Sequence, residues 1–277
     1  MRVRFVDVNG VSTRCLIGGD ESSHPILFIH GMTFTADVWL RNIDNLAKDF
    51  YVVAPDMLGH GFTNPGNPMQ SPVIPQKVDH LCKLADTLGF DKFCVSGSSY
   101  GALIGILIYF KLTSRINKLI INGSGSAFNT EAQLVPYVEK SFKTILPVLP
   151  NSTSDMWRET MARGVFDRKT IPEELLYMLM TCYGQPWLCS AWECSMRELM
   201  QIDAIRPYRV LDRLEKIAVE TLVVWGREDP GAIYESAVEA VRRMPAATLK
   251  TIEKCGHMIM FEQSEQYNQV VRNFLRS

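Results

Sequence analysis

Residues 92–110 read KFCVSGSSYGALIGILIYF, and this stretch decides the fold. A short β-type run leads into the turn GSSYG at 97–101, and an uncharged, apolar run follows directly. This order predicts a strand, a sharp turn and a buried helix. In a G-x-S-x-G turn, glycines stand where the backbone is too tight for side chains. The turn would present the Ser99 hydroxyl at a helix N-terminus, where the helix dipole favours developing negative charge.

The composition fits one large domain, or a domain with an insertion. The chain has 277 residues, 47% of them hydrophobic, which is enough to bury a sizeable core. Lys and Arg number 29 against 30 Asp and Glu, without a basic block, so neither nucleic acid nor an anionic membrane is an expected partner. The N-terminus lacks the continuous apolar core of a signal peptide, and every apolar run is shorter than the roughly 20 residues of a membrane-spanning helix. We expect a cytoplasmic protein and leave its oligomeric state open, a homodimer included.

The cysteines and glycines predict no metal and no cofactor. The seven cysteines are scattered through apolar segments, without the C-x-x-C pairs of a zinc site. We expect buried free thiols. The glycine-rich turns match neither G-x-G-x-x-G nor G-x-x-x-x-G-K-[ST], so a nucleotide cofactor is not indicated.

Strand patterns alternate with helix patterns through most of the chain. Two alternating runs joined by Asn9-Gly10 predict a hairpin at the start. Further apolar strand runs begin at residues 25, 51, 93, 116, 221 and 247. This α/β alternation predicts a mostly parallel, eight-stranded sheet with helices on both faces and right-handed crossovers.

One segment, residues 126–204, departs from the alternation. It contains no buried strand run, whereas methionines and aromatic residues crowd into it. We interpret it as a helical lid inserted after the sixth strand, with residues 1–125 and 205–277 as the core. The pocket residues that we expect are Thr33, Phe34 and Met258 from the core and Trp157, Tyr183, Trp187 and Trp192 from the lid.

The residues that follow the strands carry the expected chemistry, because ligands of parallel sheets bind outside the carboxyl ends of the strands. A serine hydroxyl needs a base within hydrogen-bond reach, and a carboxylate to orient that base. Of the five histidines, only His257 lies in a loop directly after a late strand. Asp229 follows the preceding strand, with Glu228 as its neighbour and rival. We predict that Ser99, His257 and Asp229 are the catalytic residues.

Two backbone N–H groups are the expected oxyanion hole. Each such donor is worth on the order of 3 kcal/mol in the transition state. One is the N–H of Tyr100, next to the nucleophile, and the other is the N–H of Met32, because Gly31 lets the backbone approach closely. His30 and the residues 56–61 are interpreted as loop architecture.

These separated motifs resemble the α/β-hydrolase fold over essentially the whole chain. They are the elbow at 97–101, His30-Gly31, DMLGHG at 56–61 and the order Ser, Asp, His. More narrowly, TLVVWGRED at 221–229, KCGH at 254–257 and FEQSEQYN at 261–268 are similar to carbon–carbon bond hydrolases of aromatic meta-cleavage products, near the esterase branch. The resemblance implies the same triad, a lid over an apolar pocket and no metal. In that subfamily a lid arginine holds the substrate carboxylate, but residues 177–190 here contain no Arg or Lys.

Three functions fit this pattern. The first is a serine hydrolase that cleaves an ester, a lactone or an activated carbon–carbon bond, of vinylogous or β-diketone type, in a small apolar carbonyl substrate. The second is a hydrolase-like receptor or binding protein with little turnover. The third is a cofactor-independent haloperoxidase-like or lyase activity on the same fold. Haloalkane dehalogenase and epoxide hydrolase are disfavoured, because they need an aspartate where Ser99 stands.

Overall fold

One eight-stranded sheet organises the protein. The computed structural model describes the backbone of residues 1–277 and every side chain except that of Pro150. The strands follow the order β1-β2-β4-β3-β5-β6-β7-β8 across the sheet. Their bounds are β1 Arg2–Val8, β2 Val11–Gly18, β3 Pro25–Ile29, β4 Tyr51–Pro55, β5 Phe93–Ser98, β6 Ile116–Asn122, β7 Glu220–Gly226 and β8 Ala247–Ile252.

The directions of the strands confirm the predicted mostly parallel sheet. β1 and β2 form an antiparallel hairpin, and β2 also runs antiparallel to β4. Asn9 and Gly10 both adopt positive φ in the hairpin turn, as an Asn-Gly pair favours. The remaining neighbours, from β4 through β3 to β8, are all parallel. Their carboxyl ends therefore meet at one edge, where the predicted catalytic loops lie.

The helices pack around this sheet. Their bounds are α1 Ile43–Leu46, α2 Val73–Thr87, α3 Tyr100–Lys111, α4 Gly125–Phe128, α5 Glu131–Ile145, α6 Ser154–Ala162, α7 Glu173–Tyr183, α8 Leu188–Met200, α9 Ile202–Ile205, α10 Tyr234–Arg243, α11 Ile259–Glu262 and α12 Ser264–Arg276. Ten of the twelve residues of α3 are buried, as its uncharged sequence predicts. Among the described residues, no helix has both the length and the apolar character needed to cross a bilayer.

The stretch 36–46 is not one continuous helix. It divides into a 3₁₀ turn, Ala36–Trp39, and the short helix α1. Asn42 lies between the two, and its buried side-chain amide donates to the Met260 carbonyl and to Asn268 Oδ1, both at 2.9 Å. These long-range hydrogen bonds hold Asn42 at the junction between the two short elements.

Residues 126–204, which we call the helical segment, contain α5 to α8 and no strand in the described part. Helix α8 fastens it to the core helix α2. The buried Glu198 carboxylate accepts from the Val73 and Ile74 N–H groups at the start of α2, where helix donors have no intrahelical acceptor. Lys77 Nζ donates to Ser195 Oγ at 2.6 Å. The segment is thus held against the sheet by buried polar contacts as well as by apolar packing.

Candidate active site

Ser99 lies at the turn between β5 and α3 in a conformation that non-glycine residues rarely adopt. Its φ is 54° and its ψ is −119°, a strain that costs of order 1–3 kcal/mol and persists only where the surroundings impose it. A Cβ at Gly97 would lie 2.3 Å from the Gly101 carbonyl oxygen, and a Cβ at Gly101 would lie 2.3 Å from that of His30. Both flanking positions therefore require glycine.

Hydrogen bonds from β6 and the loop after it hold the strained turn. The Ser99 N–H donates to the Asn122 carbonyl at 2.8 Å. The Ser99 carbonyl accepts from the hydroxyls of Ser124, at 2.7 Å, and Ser126, at 3.2 Å. Both polar backbone groups of Ser99 therefore have hydrogen-bond partners, and these contacts hold the turn in its strained conformation.

The structure pairs His257 with Asp229 rather than with Glu228. His257 Nδ1 lies 2.6 Å from Asp229 Oδ2, and the Asp229 side chain is fully buried. Asp229 Oδ1 accepts from the N–H groups of Gly231, at 2.8 Å, and Ala232, at 2.9 Å. Glu228 instead accepts from the Cys255 N–H at 2.9 Å. Asp229 is thus fixed on both oxygens and orients the imidazole.

The surroundings of His257 raise its affinity for a proton. Burial alone would lower the pKa of His257, but the charge of Asp229 and its hydrogen bond outweigh burial, and Glu262 adds to them, so the pKa lies above its usual value. An imidazole of raised pKa holds a proton more firmly, which suits a group that takes a proton from an alcohol.

Ser99, His257 and Asp229 all line one cavity of about 320 Å³ between the sheet edge and the helical segment. In the described structure no hydrogen bond joins the Ser99 and His257 side chains. In apo enzymes such bonds are often long and tighten when substrate is bound. The cavity therefore brings the three predicted residues to one place, with the acid and base already paired.

The backbone around Met32 and Tyr100 borders the same cavity. Tyr100 is the first residue of α3, and the first N–H groups of a helix have no intrahelical acceptor. The Met32 carbonyl accepts from His60 Nε2 at 2.8 Å, which fixes the peptide that follows the Met32 N–H. His30 Nε2 accepts from the Met57 N–H at 3.0 Å, so its Nδ1 carries the proton and donates to the Gly31 carbonyl at 2.8 Å. Both histidines are loop architecture in this geometry.

A buried ion network supports the loop that carries Met32. Arg14 donates to both oxygens of Asp37 at 2.8 Å, and its guanidinium also lies 3.3 Å from Asp56. The Asp56 carboxylate accepts from the N–H groups of Ala36, at 2.8 Å, and Phe62, at 3.0 Å. All three charged side chains are nearly excluded from solvent. The network joins the ends of β2 and β4 to the loop after β3.

Four of the seven expected pocket residues line the cavity: Thr33, Phe34, Trp157 and Met258. Tyr183, Trp187 and Trp192 are not among the lining residues. The Tyr183 hydroxyl donates to the Thr33 carbonyl at 3.0 Å, and Trp192 Nε1 donates to the Thr33 hydroxyl at 3.3 Å. Trp187 is half-buried against the core. Tyr183 and Trp192 support the cavity wall from behind, because their polar atoms bind Thr33 and their rings pack against Trp157 and Phe142.

One face of helix α5 also lines the cavity, and the sequence analysis did not predict it. The lining residues on this helix are Leu134, Tyr137, Val138, Lys140, Ser141, Thr144 and Ile145. Most of them recur at spacings of three and four, the period of one helix face, so the signal was present in the sequence. Two cations, Lys140 and Arg163, also border the cavity, and both are exposed. Apart from His257, they are the basic side chains among the described lining residues.

Comparison with known proteins agrees with this geometry. A family model described as the alpha/beta hydrolase family matches residues 26–270. The 2-hydroxy-6-oxononadienedioate/2-hydroxy-6-oxononatrienedioate hydrolase 1 of Dechloromonas aromatica is 26% identical, over 90% of this chain and 86% of its own. The 2-hydroxy-6-oxo-2,4-heptadienoate hydrolase of Pseudomonas putida is 24% identical, over 98% of this chain and 95% of its own.

A solved structure shows the same fold. The 2-hydroxy-6-oxo-6-phenylhexa-2,4-dienoate hydrolase from a Rhodococcus strain superimposes with a TM-score of 0.82 at 20% identity. The match covers the whole of both chains. The fold is thus shared along the entire length of the two chains.

Proposed function

Because the chain belongs to the alpha/beta hydrolase family, we propose that it is a serine hydrolase with Ser99 as nucleophile, His257 as general base and Asp229 as the acid that orients His257. The observation that carries the proposal is the 2.6 Å contact of His257 Nδ1 with Asp229 Oδ2 beside the strained Ser99, in one cavity. With Nδ1–H donated to Asp229, Nε2 is free to take the proton of the serine hydroxyl or of a water that Ser99 helps to place.

The N–H groups of Met32 and Tyr100 would form the oxyanion hole. The first-turn position of Tyr100 supports this assignment, as does the hydrogen bond of His30 Nδ1 to the Gly31 carbonyl, which fixes the peptide that carries the Met32 N–H. Such preorganised donors stabilise negative charge as it develops on a carbonyl oxygen, without reorganisation during the reaction.

The helical segment would act as a lid over the core formed by residues 1–125 and 205–277. Its helices supply the far wall of the cavity, through residues such as Tyr137, Trp157 and Met196. Its contacts with α2 and with the His257 loop support a closed position over Ser99. A lid of this kind would exclude water and strengthen the electrostatic interactions beneath it.

The cavity favours a small, largely apolar carbonyl substrate: an ester, a lactone or a ketone whose carbon–carbon bond is activated. Met32, Phe34, Trp157 and Met161 line it, and its volume of about 320 Å³ suits a small molecule. The relatives are named for carboxylated dienones. In this chain a substrate carboxylate could meet only the exposed Lys140 and Arg163 among the described basic lining residues, besides His257. We therefore infer that the groups on either side of the scissile carbonyl are bound by apolar contacts, and that any carboxylate lies towards the solvent.

The experiment compares Ser99→Ala with the wild type. The variant should fold with an unchanged melting temperature, lose turnover of p-nitrophenyl butyrate, and lose labelling by a fluorophosphonate. Ser98→Ala removes the neighbouring hydroxyl and should keep the label. Full hydrolysis by Ser99→Ala would refute the proposal. A parallel assay with 2-hydroxy-6-oxo-2,4-heptadienoate would show which substrate class has the higher kcat/KM.

A further inference from the structure

Glu262 binds the backbone on both sides of His257 and also binds the helical segment. It ends helix α11 and is 9% exposed. Its Oε1 accepts from the N–H groups of Gly256, at 3.0 Å, and Met258, at 3.3 Å. Its Oε2 accepts from the N–H of Phe166 at 2.6 Å. One side chain therefore joins two segments that lie far apart in the sequence.

The helical segment also contacts the His257 loop directly. The His257 N–H donates to the Gly164 carbonyl at 2.6 Å. A Cβ at Gly256 would lie 2.5 Å from that carbonyl oxygen and 2.9 Å from the Phe166 nitrogen. The two backbones are thus too close for any side chain between them. Residues 164–166 and 256–258 form a single layer, with the Glu262 carboxylate bound to both.

We propose that Glu262 is a positioning residue that couples the closed helical segment to the placement of His257. This inference rests on the proposed function, in which His257 is the base. The loop 256–258 has its N–H groups held by the segment and by Glu262, while the imidazole is held by Asp229. If the segment moves away, His257 loses one backbone partner and Glu262 loses another. The base is therefore in position only when the cavity is covered.

The charge of Glu262 gives this role a distinct signature. Burial raises the pKa of Glu262 above its usual value, but the N–H groups that its two oxygens accept oppose this shift and favour the ionised carboxylate. Its negative charge helps Asp229 to raise the pKa of His257 against burial. The other titratable or charged side chains that border the cavity or the loop are Tyr137, Lys140, Arg163, Cys255 and Glu228.

Two substitutions separate the charge from the contacts. In Glu262→Gln, the amide oxygen can still accept from the Gly256 and Met258 N–H groups, but the NH₂ group cannot accept from the Phe166 N–H. We expect kcat for p-nitrophenyl butyrate to fall on the order of tenfold with KM within about threefold. The acid limb of the kcat/KM profile, the pH range in which activity is lost as His257 becomes protonated, should move to lower pH in this variant. The reason is that the His257 imidazolium loses a stabilising negative charge. Glu262→Asp keeps the charge on a shorter side chain, so kcat should fall while the acid limb stays at its wild-type pH.

Glu228→Gln is the matched control. Glu228 also holds the His257 loop, through the Cys255 N–H, but in the described structure it makes no hydrogen bond to the helical segment. The Glu228→Gln variant should therefore have the wild-type kcat and a kcat/KM profile whose acid limb lies at the wild-type pH. The proposal would be overturned if Glu262→Gln kept the wild-type kcat and the wild-type acid limb. It would also be overturned if Glu262→Gln only lowered the melting temperature without moving the acid limb, or if Glu228→Gln had equal effects.

Glu262→Asp serves as the test if Glu262→Gln does not fold. A wild-type kcat in Glu262→Asp would overturn the proposal, whereas a lowered kcat with an unmoved acid limb would support it.

A measurement without catalysis distinguishes this failure from that of the proposed function. NMR titration of the His257 imidazole should give a lower pKa in Glu262→Gln than in the wild type. If Ser99→Ala retained full activity, the proposed function would fail, while the titration would still decide whether Glu262 acts on His257. An unchanged His257 pKa in Glu262→Gln would overturn the coupling.

Discussion

The histidines behind Met32 and the histidine at 257 lie at the same edge of the sheet, but their partners differ. His30 and His60 are fully enclosed, 5.1 Å apart between ring centroids, and bond to backbone groups. His257 faces the cavity and bonds to a carboxylate. Burial lowers the pKa of His30 to about 4 and lowers that of His60, whereas Asp229 raises that of His257.

The difference shows that the partner, more than the burial, decides what a histidine does. Asp37 and Asp56 lie near the first pair, but Arg14 engages both carboxylates, and the Thr35 hydroxyl binds Asp37 while backbone N–H groups bind Asp56. His30 and His60 therefore stay neutral, and their ring nitrogens hold the backbone of the neighbouring loops through hydrogen bonds. Asp229 has no such cation, and its second oxygen is available to His257. Matched substitutions in the two regions can test this contrast.

The largest expected effect comes from Asp229→Asn. An amide at this position would present its NH₂ group or a weaker acceptor to His257 and favour the wrong tautomer of the ring. We expect kcat to fall by about 10⁴-fold with little change in the melting temperature. Steady-state kinetics on p-nitrophenyl butyrate would measure it. Activity within tenfold of the wild type would show that Asp229 does not orient the base.

The same substitution at Asp56 should act on stability instead. Asp56 is buried beside Arg14 and accepts two backbone N–H groups, so an amide breaks a buried ion pair and removes the acceptor of one of these N–H groups. We expect the free energy of unfolding, measured with urea, to fall by about 3–5 kcal/mol. The folded fraction should keep the wild-type kcat/KM pH profile. A displaced acid limb would mean that this network also tunes His257.

The smallest expected effect is a pH dependence of stability from His30. Its pKa is lowered from 6.5 to about 4 in the folded state, so the unfolded chain binds more protons between these values. The stabilisation is present above pH 6.5 and is lost as the pH falls towards 4, in total on the order of 3 kcal/mol. Urea denaturation at several pH values should show a shallower decline for His30→Gln. An equal decline in both proteins would contradict the assignment.

The sheet was predictable because each of its features is local in the sequence. The Asn9-Gly10 hairpin, the apolar strand runs and the elbow at 97–101 each have a short-range cause, and the structure has strands at all of them. Parallel strands bring their carboxyl ends to one edge. That rule alone placed Ser99, Asp229 and His257 near one another.

The cavity wall was less predictable, because tertiary packing decides which face each helix of the helical segment presents to the cavity. Tyr183 and Trp192 had the expected composition but bind the Thr33 region from behind, while Tyr137 reaches the cavity. Glu262 left no local signal of its role. Its carboxylate accepts from the nearby N–H of Gly256 and from that of Phe166, which lies 96 residues before Glu262 in the sequence, and only the fold brings these groups together.

The order of the parts along the chain has a consequence for synthesis. The strained Ser99 and the proposed oxyanion-hole residues Met32 and Tyr100 lie before residue 101, whereas β7, β8, Asp229, His257 and Glu262 all come after residue 219. The ribosome therefore synthesises Ser99 more than a hundred residues before the acid and base that we propose for it. A polypeptide that stops before residue 220 would carry this serine without either partner, so we expect it to be inactive.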